Sequence, residues 1–374
     1  MRLLLLLAGL LLAAPAEAAP KLGEVSKAAR QWVAERKAPG IVVGVMDHGR
    51  LVLVRAYGLA NVELGVPARP DTVFRVGSLT KQFTAAAALR LAEQHRLSLD
   101  ETIGRATLRQ LLTHTGGVTS YTDRDVRPAE GWSARRDGPA MQALIAGLSP
   151  AFRFAPGGGW QYSNSGYYLA GLAVERASGQ SLGAWLSTSF FTPLGMTRTA
   201  IDDERDLVPG RAAGYASTPT GFANAAWVSA SVPGGAGALR STVPDLLRWQ
   251  QALLSSRVLA PPSLAAMLAP GRLADGSLAR RGPSGCRLPQ YGMGEYLDAP
   301  HGVRKLSHGG SIDGFRAYLA SYPDRGLAFA ILTNGETALA PLAQRIEDLL
   351  IGPSADAPCP EEAVAAASLP VKRP

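Results

Sequence analysis

Residues 75–83 read RVGSLTKQF, and the reading of the fold turns on whether Ser78 caps a helix or stands as a nucleophile at its mouth. Upstream the chain has strand character; downstream it runs FTAAAALRLA, an alanine-rich apolar helix, so residues 78–81 mark a strand-to-helix junction. Serine is a good N-cap because its hydroxyl accepts from an unpaired backbone N–H. The other reading rests on Lys81: positions i and i+3 share one helix face, so a lysine nitrogen there can reach the Ser78 hydroxyl. With 26 Ser and 6 Lys in 374 residues, a serine three before a lysine arises by chance roughly 0.4 times, so the pair needs support from elsewhere in the chain. Its chemistry is sound. A serine hydroxyl needs a proton acceptor, and either an amine kept neutral by burial in this apolar helix or a phenolate stabilised by the ammonium would serve. The helix N-terminus adds partial positive charge toward a developing oxyanion.

Working outward, residues 21–37 carry Leu22, Val25, Ala29, Trp32 and Val33 at helical spacing, ended by Pro39-Gly40. IVVGVM (41–46) and LVLVRAY (51–57) flank Asp47-His48-Gly49-Arg50 and predict a hairpin, in a sheet covered on both faces. Between residues 78 and 287 the composition turns to helical stretches separated by Gly/Pro loops, among them LRQLLTH, YYLAGLAVERAS and PDLLRWQQALL. Strands return as VRKLSH (303–308), FRAYLASYP (315–323) and LAFAILTN (327–334), followed by the helix ETALAPLAQRIEDLLIG. The fold class expected is α+β: an antiparallel sheet of five or more strands, flanked by helices and built from both chain ends, with a mainly helical domain inserted. The boundaries expected are 19–77 with 288–352 for the discontinuous sheet domain, 78–287 for the helical domain, and 353–374 for a Pro/Ala-rich tail.

The first residues, MRLLLLLAGLLLAAPAEAAPK, have one charge at Arg2, an apolar run of about a dozen residues and small residues around Ala18, the pattern of a signal peptide cut near that point. The run is shorter than the roughly 20 residues that span a bilayer, so no stable membrane anchor is expected and the protein is expected to be exported, periplasmic or secreted. Roughly 350 residues then remain, enough for a large enzyme with sizeable cores. Cys286 and Cys359 are the only cysteines, and an oxidising destination makes a disulfide between them an expectation. The net charge of +8 is spread thinly over 32 Arg and 6 Lys, without the clustering or motifs of a nucleic-acid binder. None of the five histidines shows metal-ligand spacing and no phosphate loop is present, so neither metal nor cofactor is expected.

Two further elements bear on Ser78. PGGGWQYSNSGYYLAG (156–171) places Tyr162 two before Asn164, the only one of ten tyrosines so followed, on a Gly-rich loop opening a helix; Asn164 also suits a helix cap. KLSHGGSIDGF (305–315) places His308 at the end of an edge-like strand, followed by Gly309, Gly310 and Ser311, whose small bulk lets a substrate approach the backbone.

S-x-x-K opening a helix, Y-x-N some eighty residues on and H-x-G on a late strand resemble the active-site serine hydrolases related to class C β-lactamases, DD-peptidases and the corresponding esterases. LLTHTGGV, FTPLGM, GGAGALRSTVPDLLRW, YGMGEY and PDRGLAFAILTN are similar to family segments in family order, so the resemblance covers roughly residues 22 to 350. It implies that Ser78 is acylated, that Lys81 and Tyr162 share the base work, and that Asn164 hydrogen-bonds Lys81 or the substrate amide. It also implies an oxyanion hole from the backbone N–H groups of Ser78 and Ser311. His308 and Gly310 then belong to the substrate-binding wall, with His308 where the β-lactamase pattern K-T-G has its lysine. A histidine there is mostly neutral at pH 7, which turns the expectation from efficient β-lactam hydrolysis toward small esters or D-amino-acid and DD-peptide amides. The partner expected is a small-molecule or peptide substrate, cell-wall derived in one version; oligomeric state is left open. The rival from another class is an envelope receptor that binds penicillin without turnover or deacylates slowly.

One decoy exists. GQSLG (179–183) fits G-x-S-x-G, but that elbow needs a strand before its serine, and YYLAGLAVERASG is helical in period; Ser181 reads as the cap of the helix that follows. His114 in LLTHTGG reads as fixing a loop.

Overall fold

The computed structural model describes residues 20–126, 131–280 and 288–353. The proposed leader, the tail beyond residue 353 and the Cys286–Cys359 pair lie outside these residues. Helix α1 spans Leu22–Ala34 and strands β1 and β2 span Gly40–Asp47 and Arg50–Asn61. His48 and Gly49 between them both have positive φ, 44° and 78°, the twist that a two-residue hairpin turn demands. Strand β3 (Val66–Pro67) extends this edge, while the C-terminal strands are β4 (Gln290–Tyr291), β5 (Tyr296–Asp298), β6 (Lys305–Ile312), β7 (Phe315–Tyr322) and β8 (Leu327–Thr333). They form one eight-stranded sheet in the order β4-β5-β6-β7-β8-β1-β2-β3, all antiparallel, so the two chain ends meet where β8 pairs with β1, Ile331 opposite Val43.

The alternation along β1 assigns the layers. Ile41, Val43 and Val45 point to a core shared with Val25, Ala29 and Trp32 of α1 and with Leu342 and Ile346 of the last helix, Ala340–Leu350. Val42 and Met46 point the other way, into a larger core with the inserted helices. There the helix Val243–Leu254 lies so close that a Cβ on Gly44 would stand 2.4 Å from Val243 Cγ1. Each buried Val, Leu or Ile contributes about 1.5–3 kcal/mol. The described part of the insertion is mainly helical and carries only short strand pairs, such as Tyr215–Thr218 with Gly221–Asn224.

Two strand expectations need correction. Both faces of β1 are covered, but Leu51 and Val52 of β2 are 43% and 38% exposed; β3 pairs only with Leu59 and Asn61, so this end of β2 is itself the sheet edge. His308 does not end its strand: β6 continues through Gly309 and Gly310, which pair with Tyr318 and Ala317. Nor is β6 the edge strand. Its pairing with β5 stops at Ser307, however, which leaves residues 309–311 without a neighbour in the sheet on that side.

Candidate active site

Ser78 sits in a tight turn, Gly77–Leu79, that feeds the helix α2, Thr80–Glu93. It does not cap that helix; the hydroxyl that folds back on the turn is Thr80 Oγ1, which donates to Gly77 O at 2.7 Å and accepts from the Leu239 N–H at 3.0 Å. Gly77 has φ of +51°, and a Cβ on it would stand 2.8 Å from the backbone N of Ser311. A Cβ on Gly310 would stand 2.0 Å from Val76 O. The glycines therefore let β6 lie directly against the Ser78 turn; Gly310 contributes this contact through its missing side chain.

Lys81 is fully buried on the first turn of α2. Its Nζ lies 3.1 Å from Ser78 Oγ, 2.7 Å from Asn164 Oδ1 and 2.8 Å from the carbonyl O of Ala236. The last two can only accept. A neutral amine has two N–H bonds to give them and one lone pair left, directed to Ser78. Burial pushes the lysine pKa well below its ordinary value, and its Nζ lies over the Tyr162 ring, 4.7 Å from the centroid.

Asn164 is released for this contact because the cap of its helix, Asn164–Ser178, is Ser163, whose Oγ accepts from the Gly166 N–H at 3.2 Å. Asn164 Nδ2 donates to Thr122 Oγ1 at 2.8 Å, which holds its oxygen toward Lys81. The Tyr162 hydroxyl hydrogen-bonds Ser78, and removal of solvent pushes the phenol well above its usual pKa, so it is a neutral proton donor. His114 fixes the loop from behind. Its backbone O accepts from the Gln161 N–H and its Nδ1 from the Ser163 N–H, both at 3.1 Å, and its ring lies 4.3 Å from that of Tyr162.

His308 is 3% exposed. Its Nδ1 donates to Gly309 O at 2.6 Å, which leaves Nε2 to accept from the Tyr291 hydroxyl at 3.2 Å. Burial, with Lys81 nearby, pushes its pKa down to about 3, so the ring is neutral. Ser311 is exposed and lines a cavity of about 180 Å³ with Ser78, Asn164, Tyr121, Trp132 and Val232. The structure thus sets Ser78, Asn164 and Ser311 on one cavity, brings Lys81 to Ser78 and Asn164, and lays the Tyr162 ring against Lys81; Gly310 lies against the Ser78 turn, and the His308 ring centroid is 6.1 Å from that of Tyr162.

Ala236, Thr122 and Tyr291 were not singled out from the sequence. Ala236 acts through a backbone carbonyl, for which no side-chain pattern exists; its segment, GGAGALRS, was visible only as a likeness. Ser181, the decoy, caps the helix Leu182–Leu186 by accepting from the Ala184 N–H at 3.2 Å. Among the described residues no group of His, Cys, Asp and Glu could hold a metal ion, and no helix is long and apolar enough to cross a membrane.

Comparison with known proteins identifies the family and the fold. The model of the Beta-lactamase family matches residues 25–350. Esterase EstB of Burkholderia gladioli is 30% identical over 360 residues, covering 82% of this chain and 88% of its own. Penicillin-binding protein 4* of Bacillus subtilis (strain 168) is 28% identical over 315 residues, covering 78% and 67%. The solved structure of a D-stereospecific amidohydrolase from Streptomyces sp. superposes with a TM-score of 0.73 at 25% identity, over 89% of this chain and 99% of that one. The chain belongs to the Beta-lactamase family and is a hydrolase on that family's fold.

Proposed function

We propose that the protein is an active-site serine hydrolase that cleaves an amide or ester through an acyl-enzyme on Ser78, with Lys81 as base. The observation that carries this is the contact set of Lys81 Nζ: two partners that only accept, and Ser78 Oγ as the third. As Ser78 Oγ bonds to the substrate carbonyl carbon, its proton passes to Nζ, and the oxyanion is met by the backbone N–H groups of Ser78 and Ser311. The proton then reaches the leaving nitrogen or oxygen, relayed by the Tyr162 hydroxyl, as the C–N or C–O bond breaks. Water repeats the sequence to release the acid and restore Ser78.

A neutral His308 with both nitrogens engaged inside the protein offers no cation to a substrate carboxylate. That supports a small ester or a D-amino-acid or DD-peptide amide over a β-lactam as substrate, in keeping with relatives named esterase and D-stereospecific amidohydrolase. The leader-like residues 1–18 support action after export. The test is fluorophosphonate labelling read by mass spectrometry, together with turnover of nitrocefin, p-nitrophenyl butyrate, a D-Ala-D-Ala peptide and a D-amino-acid amide. Labelling is expected on Ser78 and absent from Ser78→Ala, with nitrocefin among the slow substrates. Labelling that survives Ser78→Ala overturns the nucleophile, and nitrocefin as the fastest substrate overturns the substrate reading.

A further inference from the structure

The cavity of about 180 Å³ beside Ser78 has walls that the chemistry above does not use. Ser78 and Ser311 both line it, but Tyr162 is not in its lining. Tyr162 is packed instead among His114, Tyr291 and His308, at ring-centroid distances of 4.3, 6.3 and 6.1 Å. On the reading above, Tyr162 hands a proton to the leaving group, so the leaving group lies on the Tyr162 side of Ser78. The cavity opens from the same serine without Tyr162, which leaves it to the acyl half of the substrate.

These walls are largely apolar. Tyr121, Trp132, Val228 and Val232 belong to one buried hydrophobic cluster, with Ile312 packed against it, and Trp132 meets Tyr121 edge-on at 5.3 Å between ring centroids. The polar groups are engaged within the wall: the Tyr121 hydroxyl donates to Val232 O at 3.3 Å, and Asn164 Nδ2 donates to Thr122 Oγ1 at 2.8 Å. Among the described residues Asp313 is the one charged side chain in the lining, and a carboxylate offers nothing to an anionic acyl group. The wall is also pinned from outside. Trp132 O accepts from the Ser229 N–H at 2.9 Å, and Ser231 Oγ accepts from the Arg136 N–H at 2.9 Å, which ties the loop of Trp132 to residues 228–232. Glu204 clasps both loops: its Oε1 accepts from Ser229 Oγ at 3.0 Å and Arg135 Nη1 at 3.2 Å, and its Oε2 from the Ala230 N–H at 3.1 Å. A wall held at so many points has a fixed size. A cavity of about 150 Å³ takes a benzene ring, so this one takes a phenyl ring or a chain of about four to six carbons.

We propose that this cavity receives the acyl group of the substrate, that the group is small, apolar and not anionic, and that Trp132 is the residue that sets its size. This rests on the reading of Ser78 as nucleophile and Tyr162 as proton donor to the leaving group. Each methylene that enters the cavity leaves water as Ser78 is acylated, and it raises kcat/KM until Trp132 and its neighbours stop the chain. A smaller side chain at position 132 moves that stop to longer acyl groups.

The experiment is kcat/KM for p-nitrophenyl acetate, butyrate, hexanoate and octanoate, which share one leaving group, with the wild type, Trp132→Ala and the milder Trp132→Phe. For the wild type it is expected to rise about threefold per methylene from acetate to butyrate and to gain nothing from hexanoate to octanoate. Trp132→Ala raises the octanoate-to-butyrate ratio about tenfold or more, and Trp132→Phe raises it about threefold. Damage to the fold alone lowers all four rates together and leaves that ratio where it was. A wild-type profile that is flat from acetate to butyrate overturns the proposal, as does one that climbs unbroken to octanoate; neither depends on a variant that folds. A ratio unmoved in a folded Trp132→Ala or Trp132→Phe overturns the role of Trp132. Fluorophosphonate labelling of the wild type separates the two levels. If Ser78 is unlabelled, the nucleophile assignment fails; if it is labelled while the profile is flat, the acyl cavity alone fails.

Discussion

Lys81 Nζ lies 3.1 Å from Ser78 Oγ, and its other two contacts, Asn164 Oδ1 and Ala236 O, can only accept hydrogen bonds. Lys81 is fully buried, among the described residues no carboxylate forms an ion pair with it, and burial drives its pKa down. On the reading proposed above, a lysine so placed serves as the base because burial favours its neutral form.

Lys81→Met is expected to lower kcat/KM about 10³-fold or more, measured on whichever ester or amide is turned over best. It also has a signature in stability. Between its depressed folded pKa and the ordinary lysine value, Lys81 is neutral in the folded chain and protonated in the unfolded one. Unfolding then takes up a proton, so this term adds stability as pH rises, by up to about 1.4 kcal/mol per unit. The wild type should therefore gain on Lys81→Met between pH 7 and pH 10 in urea unfolding. A constant difference across that range would mean that Lys81 is charged in the fold.

Tyr162→Phe keeps the ring that lies over Lys81 and removes the hydroxyl that bonds Ser78. The expected result is a loss of about 10²–10³ in kcat with KM little changed. Steady-state kinetics at pH 7 decide it, and an unaltered kcat removes the tyrosine from proton transfer.

Gly310→Ala introduces a methyl group 2.0 Å from Val76 O. Either β6 or the Ser78 turn must move, at a cost of about 1–3 kcal/mol or more. We expect a lower melting temperature and a loss of turnover together. Ser311→Ala, at an exposed site whose proposed role lies in its backbone N–H, serves as the control and should retain both.

Ser181→Ala removes a helix cap and should cost about 1 kcal/mol in stability. Turnover should be unchanged, since Ser181 belongs to the helix Leu182–Leu186 and not to the cleft. A loss of activity in a folded variant would revive G-x-S-x-G as the site of the nucleophile.

The elements that were legible in the sequence are those governed by local rules. The helix near residues 21–37, the hairpin at His48-Gly49 and the late meander follow from periodicity and turn chemistry, and they appear within a few residues of the expected bounds. Ser78 and Lys81 could be paired because three residues on a helix turn are neighbours whatever the rest of the chain does. What misled was also local: the glycines after His308 read as the end of the strand, yet they extend β6 through their pairing with β7, and the Ser78 turn leaves no room for a side chain on Gly310.

By itself, then, the sequence determined which residues are candidates for the chemistry: a serine with a lysine one turn on, a tyrosine and asparagine on one loop, and a histidine where the related β-lactamase pattern has a lysine. Only the tertiary structure decided their states. Ser163 rather than Asn164 caps its helix, which frees Asn164 for Lys81; the Ala236 carbonyl takes a second N–H; and Tyr291 with Gly309 O uses up both nitrogens of His308. The two contacts of Lys81 join residues far apart in the chain, and the local ones hold their partners in place for them. They set protonation by desolvation and by the count of donors and acceptors, quantities that exist only once the chain has closed around them.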